Sequence, residues 1–88
     1  MHFVKDVTYI SEYKLLLTFE DGVVKLCDVA PHLDGEIFEP LKNIDYFKTV
    51  CVNPDIDTVV WENGADFSPD FLYEIGTEVK DKKAASFA

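Results

Sequence analysis

Lys14-Leu-Leu-Leu-Thr-Phe-Glu-Asp-Gly-Val-Val-Lys-Leu-Cys-Asp28 decides how this chain folds. Leu15, Leu17 and Phe19 fall on one face of an extended segment, and Leu16 and Thr18 on the other, the period-two pattern of a strand. Asp21-Gly22 comes next, between two apolar runs. That dipeptide predicts a tight hairpin turn, because its two central positions favour residues that tolerate positive φ. Val23 to Val29 reads as the returning strand. It ends before Pro31, which has no N–H to give to a ladder. Val24 and Leu26 are expected on the core face with Leu15, Leu17 and Phe19.

Outward from this hairpin the chain alternates short elements. Phe3 to Ile10, rich in β-branched and aromatic residues, predicts a first strand, followed by a polar turn at Ser11-Glu12-Tyr13. On the C-terminal side, His32 to Gly35 reads as a loop and Glu36 to Glu39 as a short turn before Pro40, with Leu41 pointing inward. Asn43 is an N-cap, with Asp45 in the first turn of a short helix bearing Ile44, Phe47 and Val50 on one face. Cys51-Val52 is extended and stops at Asn53-Pro54-Asp55. Asp57 to Trp61 is a β-prone strand, Asn63-Gly64 a turn, and Ala65 to Phe67 a brief bridge. Ser68-Pro69 opens a last helix with Phe71, Leu72 and Ile75 as its apolar stripe and Gly76 as its C-cap.

Burying one face of each element implies an α+β fold, a small mixed or antiparallel curved sheet of about five strands with two short helices. The predicted core is Val4, Val7, Leu15, Leu17, Phe19, Val24, Leu26, Leu41, Phe47, Val59, Trp61, Phe71 and Leu72. Residues 1–76 are expected to form a single domain, and 77–88 a loose C-terminal tail.

The 88 residues carry 17 carboxylates against 8 lysines and no arginine, a formal net charge of −9. Nucleic-acid affinity rests largely on neutralising phosphates, so direct nucleic-acid binding is excluded as an expectation. Anionic membrane surfaces are disfavoured for the same reason. A basic protein, by contrast, would be attracted. No apolar run approaches the ~20 residues of a membrane span, and the start has no signal-peptide pattern, so the cytoplasm is the expected location. Cys27 and Cys51 lack metal spacing and read as buried small hydrophobes.

No constellation points to a reaction. His2 lies at a terminus and His32 in a loop, each without a partner at ligand spacing. Asp55 to Asp66 has strand residues where a calcium loop needs alternating oxygens. Ser68 has no nucleophile context, and the four glycines are isolated. The surplus is aromatic: seven Phe, four Tyr and one Trp. Tyr9, Tyr13, Tyr46 and Tyr73 cannot all be fully buried in so small a domain, and tyrosines beside carboxylates suit a protein-binding face.

Tyr13 to Gly22, Lys25 to Asp28, Gly35 to Leu41 with Phe47, Thr58 to Trp61, and Asn63 through Ser68-Pro69 to Tyr73 together resemble the small bacterial domain-of-unknown-function family 2442. The ordered pieces F-x-D-G, W-x-N-G-x-D and S-P-x-x-L-Y carry the resemblance, which covers about residues 3 to 76. It implies a compact α+β domain similar to the N-terminal module of some helix-turn-helix proteins. It further implies a genetic neighbour that is a small basic protein, in an arrangement like a toxin–antitoxin pair. It brings no catalytic residue. The motif residues have structural duties available: Asp21-Gly22 and Asn63-Gly64 turn the chain, Trp61 fills the core, Asp66 binds nearby amides, and Ser68 caps a helix.

The expected function is therefore a non-enzymatic, acidic protein-binding module, antitoxin-like, whose partner is a small basic protein. Asp28, Asp34, Glu36, Tyr46, Glu62, Asp66 and Tyr73 are the candidate partner-binding residues. No catalytic residue, metal ligand or cofactor is expected. Two alternatives stay open: a small-molecule or metal-handling accessory protein of cofactor biosynthesis, and a homodimer built through an unpaired strand edge.

Overall fold

The turn that closes the central hairpin has three residues rather than two. In the computed structural model, which describes residues 2–79, strand β2 (Lys14–Phe19) pairs antiparallel with β3 (Val24–Asp28), Leu15 opposite Cys27 and Leu17 opposite Lys25. The Phe19 N–H donates to the Val23 carbonyl and the Gly22 N–H to that of Phe19. The loop is thus Glu20-Asp21-Gly22, and of the three only Gly22 takes positive φ, at 88°. A three-residue hairpin loop places its glycine in the left-handed position. A two-residue turn at Asp21-Gly22 would have set Leu17 opposite Leu26, and a one-residue slip moves every side chain to the other face. Cys27 and Val29 are accordingly buried, while the expected core residues Val24 and Leu26 are only half-buried and do not pack against the core.

Strand β1 (Val4–Ser11) pairs antiparallel with β2 through two bulges, setting Val7 opposite Leu17 and Tyr9 opposite Leu15. A last short strand, β6 (Thr77–Glu78), pairs with β3, giving the sheet order β1-β2-β3-β6. Thr77 and Glu78 therefore belong to the sheet, although their sequence has no periodicity. The rest of the expected tail, 80–88, lies outside the described residues. A second antiparallel pair, β4 (Cys51–Asn53) with β5 (Thr58–Val60), forms its own two-stranded sheet. The α+β expectation holds, with six antiparallel strands in two sheets among the described residues rather than about five in one.

The helices are short. Helix α1 (Ile44–Phe47) starts where Asn43 accepts the Asp45 N–H, and α2 (Pro69–Ile75) starts at Ser68, which accepts the Phe71 N–H. Both caps were legible as side-chain acceptors in front of an apolar stripe. Two 3-10 segments, Ala30–His32 and Glu36–Lys42, fill the stretch between β3 and α1. Leu41 is the buried residue of the second, as expected.

The core lies between the inner face of the larger sheet and these elements. Val4, Leu15, Leu17, Phe19, Leu41, Phe47, Val59, Trp61 and Leu72 are buried as expected, and Val7 and Phe71 pack against them half-buried. Leu33, Ala65 and Phe67 join the core from loops. An aromatic series runs through it. Phe47 meets Tyr13, Tyr9 and Trp61 at centroid distances of 5.2, 6.0 and 5.5 Å, and Trp61 meets Phe67 at 5.9 Å. Edge-on and offset pairs of this kind add to the area they bury.

Gly76 closes α2 at an ordinary φ of −72°, so it is not there for a left-handed cap. Its reason is space: a Cβ at this position would stand 2.8 Å from both Cys27 Sγ and Lys25 Cβ. Gly76→Ala is expected to destabilise the fold by about 1–3 kcal/mol, as overpacking does. Equilibrium urea unfolding measures it, and an unchanged midpoint contradicts the close approach of α2 to β3.

Candidate interaction surface

The signature polar side chains are spent on backbone. Trp61 Nε1 donates to the Phe47 carbonyl at 2.7 Å, which joins the end of β5 to the end of α1. The Thr58 hydroxyl, buried, donates to the Phe67 carbonyl at 2.6 Å. Asn63 makes three bonds. Its N–H donates to the Tyr46 hydroxyl (2.8 Å), its Nδ2 to the Ile37 carbonyl (2.9 Å), and its Oδ1 accepts the Ala65 N–H (3.0 Å). One turn residue thereby holds the second 3-10 segment and α1 together. Among the described residues no buried side-chain polar atom is left without a hydrogen-bond partner.

The seven candidate residues do not converge. Glu36, Tyr46 and Glu62 gather around the Asn63 turn: Glu36 precedes Ile37, Glu62 precedes Asn63, and Tyr46 bonds to it. Asp66 is exposed beside them in sequence, in an isolated bridge to Val60. The expectation that its carboxylate binds nearby amides is not met; Asn63 serves the Ala65 amide instead. Asp28, at the end of β3, accepts the Ala30 N–H at 3.0 Å. Asp34 is exposed in the loop between the two 3-10 segments.

Tyr73 belongs to a separate cluster at the β2–β3 turn. Its hydroxyl donates to Asp21 Oδ2 at 3.1 Å, and the His2 ring stacks on it at 3.5 Å. Lys25 Nζ lies 3.9 Å above the ring centroid and donates to the Tyr73 carbonyl. The His2 N–H donates to Asp70 at 2.7 Å. Sequence reasoning missed this cluster, because His2 lies 71 positions from Tyr73 and Lys25 was turned to the opposite face. All four tyrosines are half-buried against the core, and the Tyr13 hydroxyl donates to the Lys42 carbonyl. They pin elements more than they decorate a surface. His32, which the sequence places in a loop, is half-buried with its ring edge-on to Phe71 at 4.9 Å.

The surface around the Asn63 turn has a distinct character. Ile37 is 48% exposed, the largest exposure among the described large hydrophobics. Glu36 and Glu39 flank it along the 3-10 segment, and Glu62 stands across the Asn63 bond. Lys42 pairs with Glu39 at 3.1 Å; among the described residues no lysine pairs with Glu36, Glu62 or Asp66. Nor do the described residues hold any group of three or more His, Cys, Asp or Glu arranged for a metal ion, or any helix long and apolar enough to cross a membrane.

These features define a class: a small antiparallel α+β domain whose distinctive polar residues tie loops to one another. The chain belongs to the family described as a protein of unknown function (DUF2442), whose model matches residues 4–78. No curated protein and no solved structure matches the chain.

The Val23 N–H, and after it the Tyr73 hydroxyl and His2, hold the Asp21 carboxyl below its ordinary pKa. Asp21 is exposed, so the contribution to stability is modest. A carboxyl whose folded pKa is depressed stabilises fully above its unfolded value, about 3.9, and loses that contribution as pH falls through the folded value. Asp21→Asn is therefore expected to be less stable than the parent at pH 7, with the gap narrowing toward pH 3. Urea midpoints across that range measure it, and a pH-independent gap contradicts the assignment.

Burial pushes the Cys27 thiol up to about 11, and its Sγ donates to the Leu72 carbonyl at 3.3 Å. Cys51, contrary to the expectation of burial, is exposed, because it sits on the outward side of the short strand β4. One thiol per chain is expected to react with a disulfide reagent at pH 8, and the second only in denaturant. Peptide mapping after labelling identifies the sites. Fast reaction of both thiols in the folded chain contradicts the burial of Cys27.

Proposed function

We propose that this chain is a non-enzymatic protein-binding module that receives a small basic protein on the surface around Ile37, as the antitoxin-like member of a pair. One observation carries the reading: an exposed apolar side chain is set beside Glu36 and Glu62, with which no described lysine pairs, while its other acidic neighbour, Glu39, pairs with Lys42. Apolar contact at the centre supplies affinity, and a charged rim supplies steering and choice of partner. Residues 1–79 hold five lysines against sixteen carboxylates, a formal charge of −11, so the long-range field favours a cationic partner. Glu36, Glu62 and Asp66 would form the rim. Tyr46 would hold it in shape through Asn63, while Asp28, Asp34 and Tyr73 lie outside the proposed contact. The cytoplasm belongs to the same proposal. An exposed, unpaired Cys51 is at home where thiols stay reduced.

The test is calorimetric titration with the product of the neighbouring gene, which the family resemblance implies is a small basic protein, both partners folded. Binding is expected at 50 mM salt, weakening several-fold at 300 mM. Ile37→Ser and the pair Glu36→Lys with Glu62→Lys are each expected to weaken it at least ten-fold, with circular dichroism unchanged. Absence of a complex at 50 mM salt overturns the proposal, and so does binding indifferent to all three substitutions.

A further inference from the structure

The Asn63 turn carries a second chemistry besides its hydrogen bonds. The chain has three asparagines, and they differ in the residue that follows. The nitrogen after Asn53 belongs to Pro54 and has no hydrogen. The nitrogen after Asn43 belongs to Ile44, whose branched side chain crowds it. The nitrogen after Asn63 belongs to Gly64, where even an added Cβ would meet nothing within 4 Å. Asn63 and Gly64 are both exposed. An unhindered backbone nitrogen directly after an asparagine can close on the side-chain amide carbon, with water as the only other reactant.

In the folded chain the atoms of that reaction are held apart from it. The attacking nitrogen, that of Gly64, donates its hydrogen to the Trp61 carbonyl at 3.0 Å. The leaving nitrogen, Asn63 Nδ2, donates to the Ile37 carbonyl at 2.9 Å. Asn63 Oδ1 accepts the Ala65 N–H at 3.0 Å, and the Asn63 N–H donates to the Tyr46 hydroxyl at 2.8 Å. Ring closure needs rotation about the bonds that these contacts fix. The reaction therefore waits for the turn to open, and its rate follows the population of the open form.

We propose that Asn63-Gly64 is a self-modification site guarded by the fold, and that its reaction permanently removes the tie between this turn and the second 3-10 segment. When the turn opens, the Gly64 nitrogen gives up its proton and bonds to Asn63 Cγ, and Nδ2 leaves with a proton as ammonia. A five-membered imide results. Water adds its hydroxyl to one of the two imide carbonyls, the ring C–N bond at that carbon breaks, and the nitrogen takes the remaining proton. Breakage at Cγ leaves an aspartate, and breakage at the main-chain carbon leaves an isoaspartate. Neither side chain has a donor for the Ile37 carbonyl. The aspartate sets a carboxylate against that carbonyl. The isoaspartate adds a carbon to the main chain inside the turn that the Trp61 N–H closes on the Ala65 carbonyl at 2.9 Å. A copy that dwells unfolded is thus marked and does not regain the native loop. This chemistry belongs to the turn itself and stands whether or not a partner docks at Ile37.

The test incubates the full chain at pH 8, folded and in denaturing guanidinium, and follows the amide-to-acid mass change of the peptide bearing Asn63. Conversion is expected to be faster in the unfolded chain by a factor of about ten or more. Tyr46→Phe removes the acceptor of the Asn63 N–H and is expected to speed conversion in the folded chain several-fold, beyond Gly76→Ala, which loosens the fold elsewhere. Converted chain returned to buffer is expected to show a lower urea midpoint than chain unfolded only briefly. Equal rates in folded and unfolded chain overturn the guard. A rise with Tyr46→Phe no larger than that with Gly76→Ala overturns its origin in the turn, and an unchanged midpoint after conversion overturns the loss of the tie.

Discussion

The register of β3 against β2 is the constraint on which the rest of the fold depends, and a three-residue turn in which the Asp21 carboxylate accepts the Val23 N–H is the turn that fits it. The register decides which face each side chain of β3 occupies. With this register Cys27 and Val29 enter the core and Lys25 turns toward α2. Cys27 and Lys25 then leave room for α2 only where a glycine, Gly76, stands, since a Cβ there would come within 2.8 Å of both side chains. The same carboxylate accepts the Tyr73 hydroxyl, so the turn also anchors the helix that covers it.

A second constraint comes from polar side chains in loops. The stretch from Ala30 to Asn43 and that from Trp61 to Ser68 contain little regular structure, and their backbone groups need partners from elsewhere. Asn63 and Thr58 supply them at Ile37 and Phe67, and Trp61 in the same way holds the Phe47 carbonyl at the end of α1. This is why a motif that looks distinctive in sequence carries no visible chemistry. Each of these polar side chains already holds a carbonyl or an amide, the hydroxyls of Tyr13 and Tyr46 do the same, and that of Tyr73 is held by the Asp21 carboxylate. What remains available to a partner is the set of groups with no internal duty, chiefly Ile37 with Glu36 and Glu62.

The candidate site was partly legible in sequence. Glu36, Tyr46 and Glu62 were chosen as parts of an acidic, tyrosine-bearing face, and the Asn63 bonds bring their neighbourhoods together. Ile37 was missed. An isolated isoleucine in a run with Phe38 and Leu41 reads as core, and only the 3-10 path shows that Leu41 goes in while Ile37 goes out. Tyr73 was chosen for exposure, yet it is gripped between His2 and Lys25. Contacts across such sequence distances leave no local trace.

Local chemistry in the chain determined the hairpin, the Asn43 and Ser68 caps, the strand at Thr58 to Val60 and nine of the buried side chains. Those signals act within a few residues, through alternation, capping hydrogen bonds and turn propensity. Tertiary structure alone decided the length of the Glu20-Asp21-Gly22 loop, the face shown by β3, the pairing of Thr77–Glu78 with it, and the stacking of His2 on Tyr73. A two- and a three-residue turn both accept Asp-Gly, and they differ by one step of register. The choice between them falls to packing. Cys27 and Lys25 can lie beneath α2, where the Lys25 ammonium sits over the Tyr73 ring, and the fold keeps the register that lets them do so.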